Sequence, residues 1–185
     1  MSAPLTVDEK RVLLELARAA ITSEASDTES PAVPESTPAL AETRGAFVTL
    51  HSGGRLRGCI GYIEGVRPLV EAVVDNALSA AFRDPRFEPV TAREVAGLDI
   101  EISALTPLRA VGSWRDILIP RHGVVLTRGP RKAVFLPQVA AEEGWDRDTM
   151  LSHLAAKAGL PPDAWREGAT FQVFEAEVFS EKELA

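Results

Sequence analysis

The sequence predicts an α+β fold in which a hairpin, a helix and a strand recur in the same order, at about residues 44–106 and again at 122–179. Two observations carry this expectation. Short alternating or β-rich apolar runs come in pairs around tight-turn residues, which is the signature of antiparallel hairpins. Each pair is followed by an apolar stripe at helical spacing and then by a further alternating run. Hairpin, helix, strand, met twice, implies duplicated units building mainly antiparallel sheet flanked by helices within one domain-sized chain of 185 residues.

The elements follow in order. Thr6-Val7-Asp8-Glu9 has the form of a capping box, and Leu13, Ala17, Ala20 and Ile21 follow at helical spacing, so a helix is expected over about 7–22. Residues 23–43 are rich in Ser, Glu, Thr and Pro and lack periodicity, which predicts a mobile, acidic surface connection. Gly45–Leu50 and Leu56–Tyr62 flank Ser52-Gly53-Gly54-Arg55, a turn-forming group. Pro68 suits the first turn of a helix whose stripe is Leu69, Val73, Ala77 and Ala80, and Asp84-Pro85 ends it, because a residue before proline is pushed out of the α region. Thr91–Glu94 opens a short helix, and Leu98, Ile100, Ile102 and Ala104 alternate as a strand.

In the second half, Gly123–Thr127 and Lys132–Leu136 flank the turn at Arg128–Arg131. A helix is expected from about Asp146 to Ala158 with Gly159 at its C-cap. One last strand is expected from about Thr170 to Phe179, with a bulge where the apolar face changes register between Val173 and Phe174.

Charge and composition narrow the function classes. Residues 1–43 hold eight acids and three bases, whereas the remainder holds 19 acids and 17 bases, so the formal −7 is concentrated at the N-terminal end. No basic excess exists of the kind that phosphate neutralisation needs, which argues against nucleic-acid binding. Sixteen arginines against four lysines leave open a local cluster built from Arg55, Arg57, Arg83, Arg86, Arg128 and Arg131. A single cysteine excludes an intrachain disulfide and a Cys-x-x-Cys metal or cluster site. The first residues lack a signal-peptide pattern and no apolar run is long enough to span a bilayer, so a cytoplasmic protein is expected. Phosphate-loop, dinucleotide-loop and nucleophile-elbow motifs are absent, and His51, His122 and His153 are too scattered to suggest a metal. Neither a cofactor nor a metal is expected.

The most site-like string is Arg57-Gly58-Cys59-Ile60-Gly61. Regular alternation would put Arg57 and Cys59 on one face and Leu56, Gly58, Ile60 and Tyr62 on the other. A guanidinium beside a thiol favours the thiolate, and Gly58 and Gly61 allow close approach of a ligand or another backbone. The competing reading makes Cys59 a small packed hydrophobe and the glycines bends for packing. His122 is a candidate base for Cys59, with His51 and His153 as alternatives. Asp84 and Arg86, around a proline-fixed turn, either orient a polar ligand or lock the turn, with Phe87 plugging the core. Gln138, at a strand–helix junction, offers a donor and an acceptor for a ligand, or simply caps.

Gly45–Leu50, Leu-Arg-Gly-Cys-Ile-Gly at 56–61, Asp-Pro-Arg-Phe at 84–87 and Leu-Pro-Gln-Val-Ala at 136–140, in this order, resemble the AmmeMemoRadiSam system protein A family, also called the AMMECR-one domain family. Gly144–Asp146 and Lys157–Trp165 are similar to its prokaryotic form, and the resemblance covers about 7–180. It implies an α+β fold with duplicated subdomains, no assigned activity and, as partners, a Memo-like protein and a radical S-adenosylmethionine (radical SAM) protein. The family motif maps onto Arg57, Gly58, Cys59 and Gly61, and more loosely onto Asp84, Arg86, Pro137 and Gln138. Prokaryotic members often carry a second cysteine where this chain has Ala155, so chemistry that needs that partner is not expected here. Two functions follow as expectations: an accessory or partner-binding component, or an enzyme using Cys59 on a small anionic or carbonyl substrate.

Overall fold

The computed structural model describes residues 4–32 and 36–184, so 33–35 of the expected mobile connection lie outside the described residues. The helices are α1 (Val7–Ala25), α2 (Pro38–Ala41), α3 (Leu69–Phe82), α4 (Ala92–Val95), α5 (Pro137–Glu142), α6 (Arg147–Lys157) and α7 (Glu181–Leu184). The strands are β1 (Ala46–Ser52), β2 (Arg55–Tyr62), β3 (Leu98–Leu105), β4 (Arg109–Val111), β5 (Gly123–Arg128), β6 (Arg131–Phe135), β7 (Thr170–Phe174) and β8 (Ala176–Ser180). They form two four-stranded sheets, ordered β2-β1-β3-β8 and β4-β7-β5-β6. The chain divides into two compact units, one running to Pro107 and resuming at Glu177, the other spanning Leu108–Ala176.

Within the first unit, Thr6 Oγ1 accepts the Glu9 N–H at 3.2 Å and Glu9 returns a carboxylate to the Thr6 N–H at 2.8 Å, so the capping box starts α1 as its letters require. Val48, Leu50, Ile100, Ile102 and Ala104 form the buried face of the sheet, and Leu69, Val73, Ala77 and Ala80 of α3 join them in one core with Leu13, Ala17 and Ile21 of α1. Asn76 of α3, fully buried, donates to the Ala46 carbonyl at 3.0 Å and so fixes the helix to the sheet through a polar bond. Arg44, whose side chain is wholly buried, donates to Leu105 O at 2.9 Å and to Glu177 at 3.3 Å; Glu177 also takes the Leu5 N–H and faces Lys10 at 3.5 Å. This network ties the C-terminal strand β8 to the starts of α1 and β1.

The second unit has its own core of Val124, Leu126, Met150, Leu151, Leu154, Ala155, Trp165, Phe171 and Val173, among others. Asp146 caps α6 by accepting the Thr149 N–H at 2.8 Å, and Gly159 ends it at φ +72, in the left-handed region that favours glycine.

Several sequence expectations change. The last strand is two strands: β7 pairs with β5 in the second sheet and β8 lies beside β3 in the first. The apolar register change around Phe174 marks the passage from one sheet to the other at Glu175, not a bulge. Helix α1 runs three residues further than expected, and α2, capped by Thr37, occupies part of the expected loop. Strand β4 carries too few residues to show a period, and the 3-10 turn Trp114–Asp116, absent from the sequence expectations, opens on a Ser113–Asp116 capping box.

Arg44→Ala is expected to destabilise the first unit by about 3 kcal/mol, because a buried charge network loses a member. Arg121→Ala, which removes an exposed ion pair to Glu175, is expected to cost less than about 1 kcal/mol. Urea denaturation followed by circular dichroism checks the contrast.

Candidate functional site

Strand β2 is the outer strand of the first sheet, so alternate residues direct N–H and C=O away from β1. Its pairing with β1 is regular from Tyr62 to Gly58, then skips: Leu50 faces Gly58 and His51 faces Leu56, which leaves Arg57 as an extra residue. That bulge breaks the alternation expected from sequence. Leu56 shares a face with His51 and Cys59, whereas Gly58 stays on the helix face with Leu50.

The residue pattern around Cys59 follows from this edge. The Cys59 N–H donates to Asp84 Oδ2 at 2.9 Å, and Arg86 Nη2 donates to the Cys59 carbonyl at 3.2 Å. Asp84 and Arg86 are locked together, Nε to Oδ1 at 2.9 Å and Nη2 to Oδ2 at 2.6 Å, while the Arg86 N–H also reaches Oδ1 at 3.1 Å. One acceptor and one donor thus serve the two outward main-chain groups of Cys59, as a neighbouring strand would. Asp84 is only 4% exposed. Its bonds to Arg86, and to the Cys59 and Arg86 N–H groups, hold its carboxyl far below the ordinary aspartate range despite the burial that opposes ionisation. Arg86 is correspondingly held more firmly protonated, first by Asp84.

Arg57 turns to a different partner from the one expected. Its Nε donates to Glu94 Oε1 at 3.1 Å. Glu94 is itself the capping-box acid of α4, and the Thr91 N–H, then Arg57, lower its pKa to about 2. Phe87 does not plug the core. It is half-buried and lies under two guanidinium groups, Arg57 at 6.0 Å and Arg86 at 5.5 Å from its centroid. Arg57 Nη1 is buried and finds no acceptor among the described residues.

The two glycines are accounted for by packing. A β-carbon on Gly58 would lie 2.1 Å from the Ala80 carbonyl oxygen, so α3 can approach β2 only because no side chain stands there. A β-carbon on Gly61 would lie 2.3 Å from Ala46 O and 2.4 Å from the Phe47 ring, which covers the glycine from the neighbouring strand.

Cys59 is half-buried, and the Thr49 hydroxyl, directly across the β1–β2 pair, donates to its sulfur at 3.3 Å. His122 belongs to the second unit, where it is buried; its Nδ1 accepts the Leu118 N–H at 3.1 Å and its main-chain N–H donates to Leu118 O at 2.8 Å. Burial, then the Arg109 guanidinium, push its pKa down, and the bonds to Leu118 hold the ring in a turn lock. His153 stacks on Trp145 at 4.1 Å between ring centres. His51 stands on β1 opposite Asp99 of β3. Gln138 is the second residue of α5, also in the second unit, with Oε1 buried and without a partner among the described residues.

Arg57, Gly58, Cys59, Gly61, Asp84 and Arg86 therefore form one cluster in the first unit, while His122 and Gln138 lie in the other. Sequence reading missed Thr49, Glu94 and Asn76. Thr49 is an ordinary strand residue, Glu94 reads as a helix cap alone, and a helical Asn carries no marker of its carbonyl partner. Among the described residues no group of three His, Cys, Asp or Glu side chains is placed to hold a metal ion. No helix among them is long and apolar enough to cross a membrane.

A family model described as AMMECR1 matches residues 14–179. Protein MK0488 of Methanopyrus kandleri is 45% identical over 193 residues, covering 99% of this chain and 93% of that protein. A protein of Methanothermobacter thermautotrophicus is 42% identical over 187 residues, covering 97% of each. A crystal structure of the uncharacterized protein PH0010 from Pyrococcus horikoshii superposes with a TM-score of 0.82 at 38% identity, covering 92% of this chain and 90% of that one.

Gly58→Ala is expected to cost at least about 2 kcal/mol, since the new methyl meets backbone rather than a side chain that can move. The Asp84 carboxyl gives a second expectation. Its folded pKa lies below the unfolded value of about 3.9, so its stabilisation is complete above that pH and is lost as pH falls below it. Thermal melts of the wild type should therefore decline more steeply below about pH 4 than those of Asp84→Asn, with Glu94 contributing in the same direction to both.

Proposed function

The chain belongs to the AMMECR1 family, and from that premise we propose that it is an accessory, partner-binding component that acts with a Memo-like protein and a radical SAM protein. The observation that carries this reading is the occupation of the motif's polar groups by the fold itself. Asp84 and Arg86 are used on each other and on the Cys59 main chain, and Arg57 is anchored on Glu94. Gly58 and Gly61 are filled by Ala80 and Phe47. What remains near the thiol is a hydroxyl donor, which is short of the base and oxyanion donors that turnover at a cysteine needs.

Binding surfaces are better supplied. In the second unit the Trp114 ring has the guanidinium groups of Arg115 and Arg147 at 4.3 and 5.0 Å from its centroid, and the exposed Leu118 follows a few residues on. Tryptophan and arginine at a surface are the residue types that anchor protein partners.

The enzyme reading has one specific support. The Thr49 hydroxyl donates to the sulfur, and Arg57 Nη1, on the same strand, is a buried donor with no acceptor among the described residues. In that case Cys59 attacks a small anionic or carbonyl substrate.

Affinity capture of the tagged chain with the two candidate partners from the same cell separates these readings. The accessory role predicts that Cys59→Ala binds them within about threefold of wild type and supports growth equally. Loss of function in Cys59→Ala with partner binding intact, together with rapid iodoacetamide labelling near neutral pH, would establish the enzyme reading instead.

A further inference from the structure

We propose that Arg115, held over the Trp114 ring in the second unit, is a preformed anchor that takes a carboxylate from an acidic segment of a protein partner. The inference rests on the accessory, partner-binding role and names the surface and the partner chemistry for it. The turn that carries the anchor closes on itself: Ser113 Oγ accepts the Arg115 N–H at 3.2 Å, and Asp116 Oδ2 accepts the Ser113 N–H at 3.0 Å. Trp114 and Arg115 therefore leave a fixed backbone. Trp114 meets the ring of Trp165, which is 1% exposed, edge to face at 4.9 Å between centroids. Arg147 stands 5.0 Å from the Trp114 centroid and donates from Nη1 to the Arg115 carbonyl at 3.0 Å. On this support the Arg115 guanidinium lies 4.3 Å from the ring centroid, within cation–π range.

The partner's chemistry follows from what the cluster has already used. Asp116 and Asp146 accept main-chain N–H groups as caps, and Asp148 is shared between Arg147 at 3.8 Å and Arg166 at 3.5 Å. Among the described residues Arg115 makes no ion pair, and it is exposed. The ring covers one side of its guanidinium and leaves the N–H rim, which matches a carboxylate through two parallel bonds. Because ring and turn already restrict the side chain, binding forfeits less rotamer freedom than at a free arginine. Leu118, 52% exposed three residues on, offers an apolar contact beside the charge. The segment that fits is an Asp or Glu next to a large apolar side chain. Nucleic acid is the poorer occupant, since Asp116, Asp146 and Asp148 oppose phosphates and no basic run accompanies Arg115.

The test measures binding of the full chain to the Memo-like and radical SAM proteins of the same cell by surface plasmon resonance. Arg115→Glu should weaken binding to at least one of them by about tenfold or more, as loss of an interface anchor does. Arg131→Glu, the same charge change at another exposed arginine of this unit, should alter it by less than about twofold. In Arg115→Lys a zero-length carbodiimide should join the new amine to the bound partner as an amide, with loss of water, and mass spectrometry should place the link on an Asp or Glu. This cross-link is read even if Arg115→Glu fails to fold. Wild-type binding that Arg115→Glu leaves unchanged overturns the inference while the accessory role stands. So does equal weakening by Arg131→Glu, which reports net charge, or a bound Arg115→Lys variant that gives no link from position 115. Single-stranded DNA bound by wild type and released by Arg115→Glu overturns it in favour of a nucleic-acid surface. If wild type binds neither protein, the accessory role itself fails and this inference with it.

Discussion

The first unit depends on how the outer edge of β2 is closed. An eight-residue strand at the border of a sheet must satisfy or solvate its outward amides, and here a buried carboxylate and its guanidinium partner do so at Cys59. The closure needs three conditions at once. Asp84 must sit at the end of α3, which requires α3 to lie against β2; Gly58 permits that approach, since any side chain there would meet the Ala80 carbonyl. The carboxylate must stay ionised while buried, which the Arg86 bonds secure. Finally the connection after α3 must stay on the edge, and Phe87 beneath Arg57 and Arg86, with Glu94 holding Arg57, keeps it there. Arg-Gly-Cys at 57–59 and Asp-Pro-Arg-Phe at 84–87 are two halves of one structural joint.

Both sheets share an arrangement that element order alone only hinted at. In the first, β1 stands between its hairpin partner β2 and the returning strand β3; in the second, β5 stands between β6 and β7. Each gains a fourth strand beside the returning one. Strand β3 runs on through Thr106–Leu108 into β4 of the other sheet, and β7 runs on through Glu175 into β8 of the first. The exchange explains why the final strand read as one continuous run from sequence. Its two parts are adjacent in the chain and each is apolar on alternate positions, but they serve different cores, so the face that must be buried switches between them. Glu177, which lies in β8 and accepts from the buried Arg44, anchors the returned strand.

Legibility in the sequence followed the length of the periodic signal. The α1 capping box, the α3 stripe of Leu69, Val73, Ala77 and Ala80, the β3 alternation and both hairpin turns were readable because each buries a repeated face or fixes a turn. Four-residue α4 was readable through its capping box; three-residue β4 had neither cap nor period. At the site, the sequence identified Arg57, Cys59, Asp84 and Arg86 but not their bonds. Alternation paired Arg57 with Cys59, whereas the bulge sends Arg57 to Glu94, and a bulge leaves no mark in an eight-residue run. The contact between residues 59 and 84 depends on where α3 ends in space, information that spacing along the chain does not hold.

That joint also bears on what the cysteine string can be for. A site built to turn over substrate holds polar groups in reserve, unsatisfied until the transition state forms. In this cluster the carboxylate, the Arg86 guanidinium and the Cys59 main chain are already matched to one another, and moving any of them opens the sheet edge. Arg57 Nη1 is a donor held in reserve, buried and without an acceptor among the described residues. The thiol itself is set by Thr49 from inside the sheet rather than by a residue that can approach and leave. A string this specific need not encode a reaction: closing a long edge strand with side chains imposes as many constraints on residue type and spacing as a catalytic constellation does, because donor, acceptor, close approach and buried charge must all be correct together.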